Sequence, residues 1–173
     1  MQRANMERPL QIAIGILLVA LGYVAADSLR ERVVDVNDTA PNFTISTDSG
    51  RTVGRSNFGG KLLVVNFWAT WCPPCIEEMP SLDQFQRRFA GAGVVVVGIS
   101  VDRSDRAYRE FLQKAGVSFL TARDPEGRIS ADYGTFKYPE SYVIDQRGKV
   151  VQKIIGPTNW TDEKMLSFIQ SLL

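Results

Sequence analysis

Asn66-Phe67-Trp68-Ala69-Thr70-Trp71-Cys72-Pro73-Pro74-Cys75 carries both cysteines of the chain, three positions apart. The run that leads into it, Lys61 to Trp68, is almost continuously apolar. That is the pattern of a strand buried on both faces, and it predicts one over 61–67. The run that follows, Ile76 to Phe89, places Met79, Leu82, Phe85 and Phe89 at helical spacing. The cysteines therefore sit on a strand-to-helix turn, with Cys72 near the helix N-terminus. Free amides and the positive end of the helix dipole favour a thiolate there. Pro74 suits the first turn, where its missing N–H is no loss. With one helical turn between them, Cys72 and Cys75 can close a disulfide or open to a dithiol, which reads as a redox-cycling pair. A static disulfide and half a metal site are the competing readings. A four-residue loop removes little entropy from the unfolded chain, so a static bond would stabilise little. A zinc site needs about four ligands, and the chain has no other cysteine and no histidine.

Outside this segment, composition sets bounds. The 173 residues suit one domain plus an appendage, and an apolar share of 45% is enough for a core. A net charge of +1 gives no field that would gather nucleic acid. Without histidine, Ser-His and Cys-His catalysis are excluded, and proton transfer falls to Glu, Asp, Lys or Tyr.

Residues 1–8 read as a short N-terminal tail. Pro9 to Ala26 has no charged residue, and as a helix it would span about 27 Å, close to the hydrocarbon thickness of a bilayer. Arg3 and Arg8 precede it, which favours a cytoplasmic N-terminus. Val24-Ala25-Ala26 also offers small residues where a signal peptidase cuts, so an anchor and a cleaved signal both remain open. Either way the domain is exported. Residues 27–35 form a charged linker, and 36–173 the catalytic domain.

Within that domain, Phe43 to Ser46 and Arg51 to Val53 flank Thr47-Asp48-Ser49-Gly50, a hairpin turn. Gly59-Gly60 breaks the chain before the buried strand. Pro80 falls inside the first helix, which Gly91 and Gly93 end. Val94 to Val101 predicts a central parallel strand. Ser104 or Asp105 caps a helix to about Ala115 with Tyr108, Phe111 and Leu112 inward. Val117 to Thr121 predicts a further strand, and Ile129 to Tyr133 a short helix. Ser141 to Ile144 and Lys149 to Ile155 predict two strands around Asp145-Gln146-Arg147-Gly148. Thr161 or Asp162 caps a last helix with Met165, Phe168, Ile169 and Leu172 on one face. The alternation indicates an α/β domain, a mixed sheet with helices on both faces.

The segment 66–75, followed by Glu78 and Pro80, resembles the active-site segment of the TlpA/ResA/CcmG group. These are thioredoxin-like thiol–disulfide oxidoreductases, many anchored to the outer face of a bacterial cytoplasmic membrane. The resemblance runs from about Val36 to Leu173. It implies a thioredoxin-like fold with an N-terminal β-hairpin, a central strand–helix insertion and an uncleaved transmembrane helix ahead of it. It also implies a redox-active Cys72–Cys75 disulfide, with Cys72 as nucleophile and Cys75 as resolving thiol. Asn66 stands where plain thioredoxin has a buried aspartate, and the resemblance gives that aspartate's proton-handling role to Glu78. Geometry agrees, since residues three apart share a helix face. The alternative is that Glu77 and Glu78 only favour the helix N-terminus electrostatically.

Tyr138-Pro139-Glu140-Ser141 precedes a predicted strand, where a loop proline is ordinary. The resemblance implies that Pro139 is cis, packs against the two sulfurs and leaves the backbone of Tyr138 free for a substrate strand. Glu140 resembles the Pro-Glu of CcmG-like members, which implies that it faces substrate; the alternative is a solvated edge glutamate. Trp68 reads as a core aromatic and Trp71 as partner-binding surface.

The expected activity is reduction of protein disulfides on the periplasmic side of a bacterial inner membrane, with no cofactor and no metal. By resemblance, the substrates include apocytochrome c during cytochrome c maturation, and the electron donor is an integral-membrane carrier of the DsbD/CcdA type. A general periplasmic reductase or a disulfide-donating oxidase would use the same cysteines. A peroxiredoxin-type peroxidase would want threonine at the position of Ala69. A Sco-like copper-delivery module would want histidine and a wider cysteine spacing.

Overall fold

The computed structural model describes residues 3–28, 33–58 and 61–173. In chain order these form α1 (Arg3–Ser28), β1 (Thr44–Ser46), β2 (Thr52–Gly54), β3 (Leu62–Trp68), α2 (Pro73–Phe89), β4 (Val94–Ser100), α3 (Asp105–Ala115), β5 (Leu120–Arg123), α4 (Arg128–Asp132), β6 (Glu140–Ile144), β7 (Val150–Ile155) and α5 (Glu163–Ser171). The helix α1 is one unit, and Val33–Leu173 is a second. Among the described residues no helix is long and apolar enough to cross a membrane. The predicted linker falls partly, and the Gly59-Gly60 break wholly, outside the described residues.

The sheet of the second unit is built around β3, all of whose residues are buried. Strand order is β5-β4-β3-β6-β7. β3, β4 and β5 run parallel, whereas β6 is antiparallel to β3 and β7 antiparallel to β6. Side-chain alternation along β3 divides the interior in two. Leu62, Val64 and Trp68 face a layer of α2, α3 and α5 that contributes Leu82, Phe85, Tyr108 and Ile169. Leu63, Val65 and Phe67 face the other layer, where the β1–β2 hairpin, α4 and the segment around Val34, Ala40 and Phe43 close over Tyr133 and Tyr142. Gly98 lies within β4 because a Cβ there would come within 2.8 Å of the Phe119 ring and 3.2 Å of Trp68 Nε1.

The hairpin, the two central strands and the capped α3 form where the sequence predicts them; Ser104 Oγ accepts the Ala107 amide. One strand is displaced. The expected strand over 117–121 begins instead at Leu120, opposite Val97. The amide and hydroxyl of Ser118 are both committed to Asp83 on α2, which withdraws that residue from the ladder. The first helix also starts earlier than the apolar periodicity suggests, at Pro73, so it includes Cys75 and runs on through Pro80.

Candidate active site

β3 ends and α2 begins on either side of a tight turn. The Cys72 amide donates to the Ala69 carbonyl at 3.2 Å, closing it. Cys72 is the N-cap of α2, in extended backbone geometry, and its Sγ accepts the Cys75 amide at 3.3 Å. A sulfur that caps a helix is held against unpaired N–H groups, which favours its thiolate. Cys72 and Cys75 are joined as a disulfide with their Cα atoms 5.3 Å apart. Both are buried, Cys75 almost completely at 1% exposure and Cys72 at 5%.

Trp71, immediately before the disulfide, is 63% exposed, whereas Trp68 is fully buried. The Trp71 ring meets Tyr138 edge-on, with centroids 6.0 Å apart. The Tyr138–Pro139 bond is cis. The Pro139 carbonyl accepts the Gly156 amide at 2.8 Å, and among the described residues Tyr138 makes no backbone–backbone hydrogen bond. Beside Trp71 and Tyr138 an open groove of about 630 Å³ extends to Arg103, Ala107 and Glu126, at the ends of α3 and β5.

Glu78 lies one turn after Cys75 on the buried face of α2 and is 4% exposed. Its Oε1 accepts from Asn66 Nδ2 at 2.8 Å and its Oε2 from the Thr158 amide at 2.9 Å. Burial pushes its carboxyl up to about 7. The Thr158 amide, the nearby Trp160 indole and the Asn66 amide each pull in the opposite direction without prevailing. Among the described residues the Trp160 Nε1 itself has no partner in hydrogen-bond geometry. Asn66 Nδ2 also donates to Ser141 Oγ at 2.9 Å, across the β3–β6 pair. A carboxyl that titrates near neutrality is suited to exchange a proton with a thiol. Glu77, by contrast, points to solvent.

Glu140 occupies neither of the positions expected of it. It is 3% exposed, so it is not a solvated edge residue, and its carboxylate is committed inside the domain. Strand alternation explains this: Ser141 turns to the α2 layer, and its neighbours Glu140 and Tyr142 turn to the other. There Glu140 Oε1 accepts from Tyr142 Oη at 2.7 Å and pairs with Lys153 Nζ at 3.1 Å. Lys153 also donates to the Val34 carbonyl at 2.9 Å. Sequence reasoning did not find Ser141, Thr158, Trp160 or Lys153. They reach their partners through strand pairing and the β7–α5 loop, and no local motif marks them.

A dithiol–disulfide pair at the N-cap of a helix, a cis-proline loop beside it and a buried acid one turn on define a thioredoxin-fold thiol–disulfide oxidoreductase. The chain belongs to the AhpC/TSA family, whose model matches residues 36–153. It is 31% identical to the thiol-disulfide oxidoreductase ResA of Bacillus thuringiensis subsp. konkukian over 163 residues, 93% of each chain. To ResA of Bacillus subtilis it is 33% identical over 156 residues, 87% of each. A crystal structure of a thiol:disulfide interchange protein DsbE from Chlorobium tepidum superposes with a TM-score of 0.75 at 30% identity. That match covers 80% of this chain and 98% of the other.

Proposed function

We propose that this oxidoreductase works as a reductase of protein disulfides on the outer side of a bacterial cytoplasmic membrane. The observation that carries the reading is the Glu78 carboxyl, buried beneath the turn of helix that holds Cys75 and poised near neutrality. Cys72 thiolate attacks one sulfur of a partner's disulfide, forming a mixed disulfide and expelling the other partner sulfur as a thiolate. Cys75 passes its proton to ionised Glu78 and attacks the Cys72 sulfur. The Cys72–Cys75 bond forms, the mixed bond breaks, and the partner leaves carrying two electrons. Trp71, Tyr138 and Pro139 form the face that receives the partner chain.

The uncharged stretch Pro9 to Ala26 supports a single-pass anchor with the catalytic domain outside. In an oxidising compartment the pair needs re-reduction, for which an integral-membrane donor of the DsbD/CcdA type is the expected source. Apocytochrome c is the leading substrate class, on the resemblance described above. The test is capture: full-length protein carrying Cys75→Ser, expressed in its own envelope, should retain substrates as mixed disulfides on Cys72. Recovery of apocytochromes captured through their own disulfides supports the reading, and a trap that holds none of them refutes that substrate. A reduction potential near that of thioredoxin, about −270 mV, fits a reductase, whereas one near about −120 mV would make the protein a disulfide donor.

A further inference from the structure

The turn that delivers Cys72 is held from the neighbouring strand by a single carboxylate. Thr70, the second residue of that turn, gives both of its donors to Asp102. Its amide reaches Oδ2 at 2.9 Å and its hydroxyl reaches Oδ1 at 2.7 Å. Asp102 stands just beyond the end of β4 and is 2% exposed. Ser100 Oγ donates to Oδ2 at 2.6 Å and accepts the amide of Asp102 at 3.0 Å. Among the described residues Asp102 has no salt-bridge partner; its carboxyl oxygens accept these three hydrogen bonds, and the Arg123 guanidinium donates to its backbone carbonyl at 3.4 Å. A buried carboxyl group is costly to leave unpaired and keeps its donors in one geometry. The Val101 amide on the Trp68 carbonyl, at 3.0 Å, prolongs the β3–β4 ladder to the foot of the turn. The two sides of the clasp are thus fixed to the two central strands, and the turn between them carries the attacking sulfur.

We propose that Asp102 is a positioning residue for thiol–disulfide exchange, holding the Ala69–Cys72 turn through Thr70 so that the Cys72 sulfur meets a partner disulfide in line. Displacement of a reacting atom by about 1 Å is enough to cost up to roughly a hundredfold in rate. The inference rests on Cys72 being the attacking sulfur, as proposed above. Asp102 touches no reacting atom itself; Thr70 transmits its effect.

The test uses the full chain with Cys75→Ser, so that Cys72 is the only thiol. Its rate constant toward a small nitrophenyl disulfide is read on the high-pH plateau of the pH–rate profile. There Cys72 is entirely thiolate, and a shift in its titration acts only through nucleophilicity, about threefold per pKa unit, which the titration midpoint from the same profile corrects. Thr70→Val keeps the shape of the side chain and removes one donor; it should slow attack about tenfold, the scale of one hydrogen bond to a charged group. Thr70→Ser keeps both donors and should react within about twofold of the parent. Asp102→Asn should slow attack at least as much as Thr70→Val; if it does not fold, the two Thr70 variants decide the matter alone. A Thr70→Val protein that is folded by circular dichroism and reacts as fast as its parent overturns the proposal. So does a Thr70→Ser protein as slow as Thr70→Val. If the parent's Cys72 is itself unreactive, the proposed function fails and takes this inference with it; a reactive parent with indifferent Thr70 variants removes the positioning role alone.

Discussion

Asn66 on β3 donates to the Glu78 carboxylate on α2 at 2.8 Å, a neutral amide facing the acid that the site depends on. An amide cannot compete with Glu78 for the proton, so the buried titratable function rests on the helix and not on the strand. The Asn66 hydrogen bond favours the ionised carboxylate, and burial favours the neutral acid. Replacing Asn66 by Ala removes the first influence and leaves the second. The Glu78 titration should then move above its value of about 7, as followed by carboxyl carbon NMR of the disulfide form. A titration that stays put or falls would show that Asn66 does not tune the acid.

Glu78 also links stability to pH. Its folded value of about 7 lies above the ordinary 4.5, so the folded state holds the proton more tightly than the unfolded chain. The stabilisation is complete below about pH 4.5 and is lost as pH rises through about 7. The shift corresponds to roughly 3 kcal/mol. Glu78→Gln, neutral throughout, should abolish that decline in urea unfolding of the disulfide form. An identical pH dependence in the variant would exclude Glu78 as its source.

The same variant should slow resolution of a mixed disulfide. General-base assistance contributes on the order of a hundredfold, so Glu78→Gln should retard Cys75 attack by about that factor near pH 8 and spare the first attack by Cys72. Stopped-flow release of a fluorescent thiol separates the two steps. Equal slowing of both would point to a distorted site in place of a missing base.

The interior pair Glu140–Lys153 makes a prediction about stability and none about chemistry. Lys153→Met leaves the Glu140 carboxylate buried without its cation and should destabilise by about 3–5 kcal/mol in urea. The double variant Glu140→Gln, Lys153→Met should recover much of that loss. A single variant as stable as the parent would mean the pair is not closed in solution.

Trp68, just before the turn, and Trp71, within it, should separate cleanly. Trp68→Ala empties a fully buried site and should cost about 3–5 kcal/mol. Trp71→Ala, at a site 63% exposed, should alter stability by no more than about 0.5 kcal/mol. Its effect should fall instead on KM for a folded protein disulfide, measured beside a small disulfide whose rate it leaves nearly unchanged.

Much of this architecture is legible along the chain because it is local. The apolar run ending at Trp68, the Cys72–Cys75 spacing, the Ser104 cap and the turn at 145–148 each announce themselves within a few residues. The remainder depends on what lies opposite. Asn66 meets Ser141 across 75 positions and Glu78 meets the Thr158 amide across 80, contacts that exist only once β6 has paired with β3. Glu140 illustrates the limit: its neighbour Pro139 suggested an exposed role, but strand parity, fixed by Ser141 facing Asn66, turned it inward. Ser118 shows a smaller case, where one distant carboxylate overrode local strand preference.

The alternation of β6 places chemistry and scaffold on adjacent residues, with Ser141 bonded to Asn66 beside Glu78 and Glu140 in an ion pair on the opposite side of the sheet. A one-residue slip of β6 against β3 would therefore exchange them. A second acid would be thrust toward Glu78 while Lys153 was left facing a hydroxyl. The pairing of β6 with β3 thus keeps a second acid away from Glu78.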